Sequence, residues 1–319
     1  MTSLFSRRFA VVIVAILIGT LSRAASAATL YASSYEGQSL WSVDTVAQTA
    51  SPVWFTTGYA NPDSLMFDST GRIIYTDHLN GYMRRVDLSA STDTILATPS
   101  DGLYHPTDMV FDPSGNSILV SDYWDPYLRR VSLSGGATIL ASGSVHSGLV
   151  YLGSKLYANA GGAPVSNGDE CRILDPVTGA TLATTGSIPG ASLDGLCYDS
   201  YTGHLWASSL TSSQLFEIDP STLTYTAHAI SSPAGFGVSP DGICTDGSGK
   251  IWFASRSDFT VYEYDINTQL DTPIVAIYGL DDLAPASGPG SIMPEPGSMA
   301  LITPLMALLT RRKTRAGLQ

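Results

Sequence analysis

The chain has 319 residues, a formal net charge of −12 and only 14% charged residues. Its 44% hydrophobic content is ample for a core and too high for intrinsic disorder, while its Lys and Arg are too few to neutralise a nucleic-acid backbone. The acids divide into 23 Asp and 5 Glu, and Lys occurs only at Lys155, Lys250 and Lys313, a balance that suits turns and caps rather than helix interiors.

The chain opens with Arg7 and Arg8, an apolar run from Phe9 to Gly19, and small residues at Ala25-Ser26-Ala27. A charged start, a short apolar stretch and an A-x-A site predict a secretory signal peptide over 1–27, cleaved between Ala27 and Ala28. The run is too short to span a membrane comfortably.

Six related segments follow. The recurring unit is a Pro/Asp turn, a short apolar strand, a Gly-containing hairpin, an aromatic-rich strand and a third strand. The second reads Pro62-Asp63-Ser64-Leu65-Met66-Phe67-Asp68, Gly71, Ile73-Ile74-Tyr75 and Tyr82-Met83-Arg84-Arg85-Val86-Asp87. The third repeats it through Phe111-Asp112, Gly115 and Tyr127-Leu128-Arg129-Arg130-Val131, and looser copies continue to Asp265. The turn glycines at 71, 115, 153, 203 and 249 are spaced by 44, 38, 50 and 46 residues, the length of a four-stranded propeller blade. A residue of positive φ is expected at each of them.

The first segment lacks its opening strand and begins at Leu30-Tyr31-Ala32-Ser33. The missing piece stands at the far end, where Leu280-Asp281-Asp282-Leu283 copies Leu193-Asp194-Gly195-Leu196. The prediction is an all-β, six-bladed propeller over 28–284, with a C-terminal strand completing blade one and leaving no open sheet edge. The blades resemble the NHL, YWTD and gluconolactonase/regucalcin propellers. Ser121-Asp122-Tyr123-Trp124 is similar to a YWTD blade, and Pro240-Asp241-Gly242-Ile243-Cys244 to the gluconolactonase group.

In a propeller the residues that open each inner strand converge on one mouth of the central channel. Aligning the six units places Asp63, Thr107, Ser147, Asp194, Asp241 and Asp281 there, with Asp108, Asp282, His105 and His146 adjacent. Carboxylates facing one axis repel unless they are protonated, solvated or bridged by a cation, and an all-oxygen set suits Ca²⁺ better than Zn²⁺. Pro-Asp-Gly is equally a turn sequence in which the Asp caps its own turn. The gluconolactonase resemblance implies a divalent cation held by a Glu, an Asn and an Asp, which fall on Asp63, Asp194 and Asp241. One of the three matches by identity, and the family's substrate-contacting Arg and Asn have no clear counterpart. His105 and His146 are the candidate general bases, or else structural residues.

Other signals are weaker. Cys171, Cys197 and Cys244 are odd in number, and Cys197 and Cys244 occupy equivalent places on neighbouring inner strands, which favours free thiols. Arg84-Arg85 and Arg129-Arg130 each split across the faces of a strand and suit ion pairing on the blade surface. No G-x-S-x-G, H-E-x-x-H, C-x-x-C or phosphate loop occurs.

After a linker over 285–293 comes Pro294-Glu295-Pro296, an apolar stretch from Met299 to Leu309, and Arg311-Arg312-Lys313. This order over 294–319 resembles the PEP-CTERM sorting signal of exopolysaccharide-producing Gram-negative bacteria, though Pro304 would kink the apolar stretch. The resemblance implies transient membrane association, processing by an exosortase-type membrane transpeptidase, and delivery to the cell surface, outer membrane or extracellular matrix. Without leader and tail, residues 28–293 carry nine basic residues against 27 acidic ones, a net charge of −18. The expectation is an exported, acidic propeller that binds a ligand, an exopolysaccharide or a surface protein. The rival is a divalent-metal-dependent lactonase or esterase.

Overall fold

The computed structural model describes residues 29–286 apart from 124, 143–144, 162–167 and 232–236. The expected leader and sorting tail lie outside the described residues. Six antiparallel four-stranded sheets are arranged as blades, with no α-helix among the described residues and one 3-10 turn at Pro99–Asp101. Blades two to six take four consecutive strands each. Blade one has the strand order Leu280–Pro285, Thr29–Ser34, Ser39–Asp44 and Thr49–Phe55. The C-terminal strand therefore pairs with the first one, in the register Ala32↔Leu283 and Ser34↔Leu280, and closes the ring as the complementary split predicts.

Burial explains the strand composition. The second strand of each blade is sandwiched by its neighbours, so Ile73–Asp77 is buried at every position, whereas the outer strand Thr49–Phe55 has no fully buried residue. The core lies between blades rather than within them. Cys197, Trp206 and Leu215 of blade five, for example, pack on Ile243, Phe253 and Tyr262 of blade six. The five hairpin glycines have φ of 82°, 71°, 62°, 76° and 93°, a region closed to most side chains. All three cysteines are buried free thiols. Arg84 pairs with Asp93 at 3.1 Å and Arg130 with Asp112 at 3.1 Å. Arg129 departs from the surface role expected of it. It is 4% exposed and reaches Asp125 at 2.8 Å beneath the loop.

Every inner strand carries a bulge at the same place. Pro62 pairs with Asp77 but Leu65 with Tyr75, so three steps on the inner strand face two on its partner. The same shift recurs at Pro106/Met109, His146/Leu149, Leu193/Leu196 and Pro240/Ile243, and where Leu280 and Leu283 pair with Ser34 and Ala32. A bulge leaves a residue outside the ladder and re-aims its side chain. Here it directs two consecutive residues of each strand toward the channel.

The bulge also strands a backbone carbonyl, and the preceding blade satisfies it. Thr76 Oγ1 donates to Thr107 O at 3.0 Å, Ser121 Oγ to Ser147 O at 3.3 Å, and Asn159 Nδ2 to Asp194 O at 2.8 Å. Ser33 Oγ donates to Asp63 O, and Ser208 Oγ to Asp241 O. Five of the six blade junctions are thus stitched by a side chain of the second strand. At the sixth the corresponding residue is Ala254, which has no donor.

Candidate functional site

The six bulges define two tiers. The first bulged position holds Asp63, Thr107, Ser147, Asp194, Asp241 and Asp281, the set obtained by aligning the sequence repeats. The second holds Asp282, Ser64 and Asp108 in blades one to three, and Gly148, Gly195 and Gly242 in blades four to six. The glycines are required by close approach. A Cβ on Gly195 would lie 2.9 Å from Asp241 O, and one on Gly242 would overlap Asp282. In this lower tier Asp108 accepts hydrogen bonds from Leu149 N at 2.6 Å, Met109 N at 2.7 Å and Ser64 Oγ at 3.1 Å. Burial pushes the Asp108 carboxyl up to about 7, and pushes that of Asp282 well up.

A cavity of about 190 Å³ opens above the upper tier, and a smaller space of about 60 Å³ continues down the channel. Asp63, Thr107, Asp194, Asp241 and Asp281 form its floor, and Tyr35, His78, Tyr123, Leu210 and Arg256 form its wall. The wall follows a rule of its own. Each of these five is the first residue after the second strand of its blade. Each donates its N–H to the carbonyl of a linker residue just ahead of an inner strand, Gly279, Asn61, His105, Ser192 or Ser239, at 2.7–3.0 Å. The backbone at these corners is therefore fixed while the side chain is free to vary.

Arg256 reaches over the floor. Its Nη1 is 3.6 Å from Asp241 Oδ2 and 3.8 Å from Asp281 Oδ1, and its guanidinium carbon is 6.0 Å from the centre of the Tyr35 ring. These are charge contacts longer than direct hydrogen bonds. Asp241 is 6% exposed, and its Oδ2 is buried without a hydrogen-bond partner. Burial, and then the charges of Asp194 and Asp281, hold the Asp241 carboxyl well above its usual range. Burial does the same for Asp281, with the charge of Asp63 second, and burial also raises Asp194.

His78 Nδ1 lies 3.0 Å from Asp63 Oδ2. Burial disfavours the charged imidazole, but Asp63, with Asp281 and Asp122 behind it, outweighs that effect and raises the pKa. His105 stands behind this wall, its ring 5.1 Å from that of His78 and its Nδ1 3.1 Å from His78 O. The backbone of His146 occupies the strand position before Ser147, and its side chain lies outside the described residues. The repeats thus bring Asp63, Asp194, Asp241 and Asp281 to one cavity, while His78, Arg256, Tyr35 and Tyr123 were missed. Their signal was positional, since the same alignment shifted to the end of the second strand finds them.

The floor has the oxygen chemistry of a Ca²⁺ site. As placed, the donors do not fit one. Among the described residues no three His, Cys, Asp or Glu side chains come together to hold a metal ion, and Arg256 already sets a positive charge beside Asp241 and Asp281.

No family model matches the chain, and no curated protein matches it. Solved structures do. A chain of a nidogen/laminin complex is similar with a TM-score of 0.68 and 14% identity, over 82% of this chain and 98% of that one. Virginiamycin B lyase from Staphylococcus aureus is similar at 0.56 and 14% identity, over 75% and 78%. A streptogramin B lyase gives 0.53 and 16%, over 67% and 68%. The likeness is one of fold. It reaches both a propeller solved with a protein partner and propellers named as lyases, so the fold leaves the choice between binding and catalysis to the site.

Proposed function

We propose that the protein is an exported ligand- or partner-binding propeller whose binding site is the acidic channel mouth. One observation carries the reading. A buried Asp241 oxygen without a hydrogen bond faces a cavity floored by four aspartates and walled by Tyr35, His78, Tyr123 and Arg256. A buried acceptor left open is costly unless something arrives to use it. The sorting tail supports retention at the bacterial surface, outer membrane or matrix after an exosortase-type enzyme has acted, with an exopolysaccharide or a surface protein as partner.

The rival reading is a lactonase or esterase with Ca²⁺ or another divalent cation on Asp63, Asp194 and Asp241, together with Asp281. Their common cavity favours it, and it requires Arg256 to withdraw. The test is metal content of the full chain after dialysis against metal-free buffer, then Ca²⁺-dependent melting and lactone turnover with added Ca²⁺. The binding reading expects none of the three. Turnover abolished by Asp241→Ala with the fold retained would overturn it. Deleting Pro294–Gln319 should change where the protein ends up and leave its melting temperature unaltered; normal surface delivery of the truncated chain would refute the sorting assignment.

A further inference from the structure

The geometry points to a Lys or Arg side chain, presented by a peptide segment of a partner protein, as the ligand of the channel mouth. This rests on the mouth being a binding site, and it specifies what binds there. The charge balance favours a cation. Four aspartates form the floor, and only Arg256 and His78 stand against them on the wall. The open Asp241 Oδ2 accepts no hydrogen bond, and the nearest guanidinium nitrogen is too distant to supply one.

Arg256 shows what kind of cation the site accommodates. Its guanidinium lies between carboxylates and the Tyr35 ring without sealing against either, held from the rim by its own chain. A second such group, entering from above, can approach Asp241, Asp194 and Asp63 within hydrogen-bonding range and lie against Tyr35 and Tyr123, combining charge with aromatic contact. A bare metal ion is the poorer match, because no three ligating side chains converge among the described residues.

The rim identifies a protein segment rather than a free amine. Tyr278, Tyr59 and Tyr104 are 69%, 81% and 55% exposed, and they lie on the three consecutive linkers that lead into blades one, two and three. Leu79, in the turn after His78, is 53% exposed. The three linkers lead directly into the inner strands that carry Asp281, Asp63 and Thr107, on the face where those strands begin. Exposed tyrosines are what a peptide backbone and its apolar side chains pack against, and a small ion makes no use of them. The cavity of about 190 Å³, with Tyr35 and Tyr123 on its wall, has room for one long side chain from such a segment.

The test is titration calorimetry on the full chain at low salt. The probes are acetyl-Gly-Arg-Gly-amide, its Lys and citrulline counterparts, and tetraglucosamine. The Arg and Lys peptides should bind at least about tenfold more tightly than the isosteric but uncharged citrulline peptide, and Asp241→Asn should weaken them by at least about tenfold. Arg256→Gln removes the tethered competitor and should tighten binding, the opposite of what loss of a structural contact would do. Tyr59→Ser with Tyr104→Ser should weaken a nine-residue basic peptide and leave the tripeptide unaffected. Equal affinity for Arg and citrulline, no binding of either cationic peptide, or binding of tetraglucosamine alone would each overturn the assignment. Tetraglucosamine binding lost in Asp241→Asn would still leave the mouth a binding site, whereas Ca²⁺-dependent lactone turnover would defeat that reading too. If Asp241→Asn fails to fold, the comparison of Arg with citrulline on the unaltered chain decides.

Discussion

Replacing Thr76 by Val tests the stitching of the blades. Thr76 is fully buried, and its Oγ1 accepts from Ser64 N at 2.9 Å while donating to Thr107 O at 3.0 Å. Val keeps the branched shape and removes the hydroxyl, which orphans one N–H and one C=O at two neighbouring bulges. Each orphan costs about 1–3 kcal/mol, and burying the extra methyl returns about 0.8 kcal/mol. The net expectation is a loss of about 1–5 kcal/mol, which for a domain of this size lowers the melting temperature by about 2–20 °C. Calorimetry and urea titration of the full chain read it. Thr76→Ser, which keeps the oxygen, should lie within about 1.5 kcal/mol of the parent. If Val and Ser behave alike, or Val costs less than about 0.5 kcal/mol, the hydroxyl does not serve the bulges and the two-tier mouth needs another explanation.

The acids of the channel also set a pH dependence. Asp108 at about 7, with Asp194, Asp241, Asp281 and Asp282 all raised, binds protons more tightly in the folded than in the unfolded chain. Their contribution is therefore fully present below the ordinary carboxylate range and is lost as pH rises, that of Asp108 through about 7, and raised His78 adds a further loss above the ordinary imidazole value. Asp68, Asp219 and Asp265 are lowered and act oppositely, losing their contribution as pH falls below the ordinary carboxylate range. The melting temperature should peak on the acid side of neutrality; a steady rise from pH 5 to pH 8 would refute this. Gly242→Ala would drive a Cβ into Asp282 and should cost about 2 kcal/mol or more. Gly237→Ala, whose nearest neighbour is Ser213 Oγ at 3.3 Å, should stay within about 0.5 kcal/mol, and equal costs would show that the inner strands separate freely.

The floor of the mouth was legible in the sequence because the inner strand opens with a repeated pattern, Pro-Asp or Leu-Asp, in four of the six units. Aligning that pattern places Asp63, Asp194, Asp241 and Asp281 together without any knowledge of the bulge. The wall was legible by position only and not by residue type, for a physical reason. Its residues are fixed by backbone hydrogen bonds, so nothing constrains the side-chain type, and Tyr35, His78, Tyr123, Leu210 and Arg256 share a place in the repeat but no common chemistry. Arg256 carries no local signature in the sequence, because it stands alone at a corner rather than in a pair on a strand. The burial of Arg129 was equally hidden, since it depends on the loop around Asp125 folding over the blade.

Closure of blade one has a consequence for the order of events in folding. Residues near Ala32 cannot complete their sheet until residues near Leu283 arrive, a separation of about 250 positions that places this pairing among the slow, late steps. Until then the Thr29–Ser34 strand presents an open edge to any other strand in reach. A chain whose last strand has not yet docked remains an incomplete ring. Completion of the ring is therefore tied to the last strand of the propeller, Leu280–Pro285, rather than to any of the five blades built from consecutive strands.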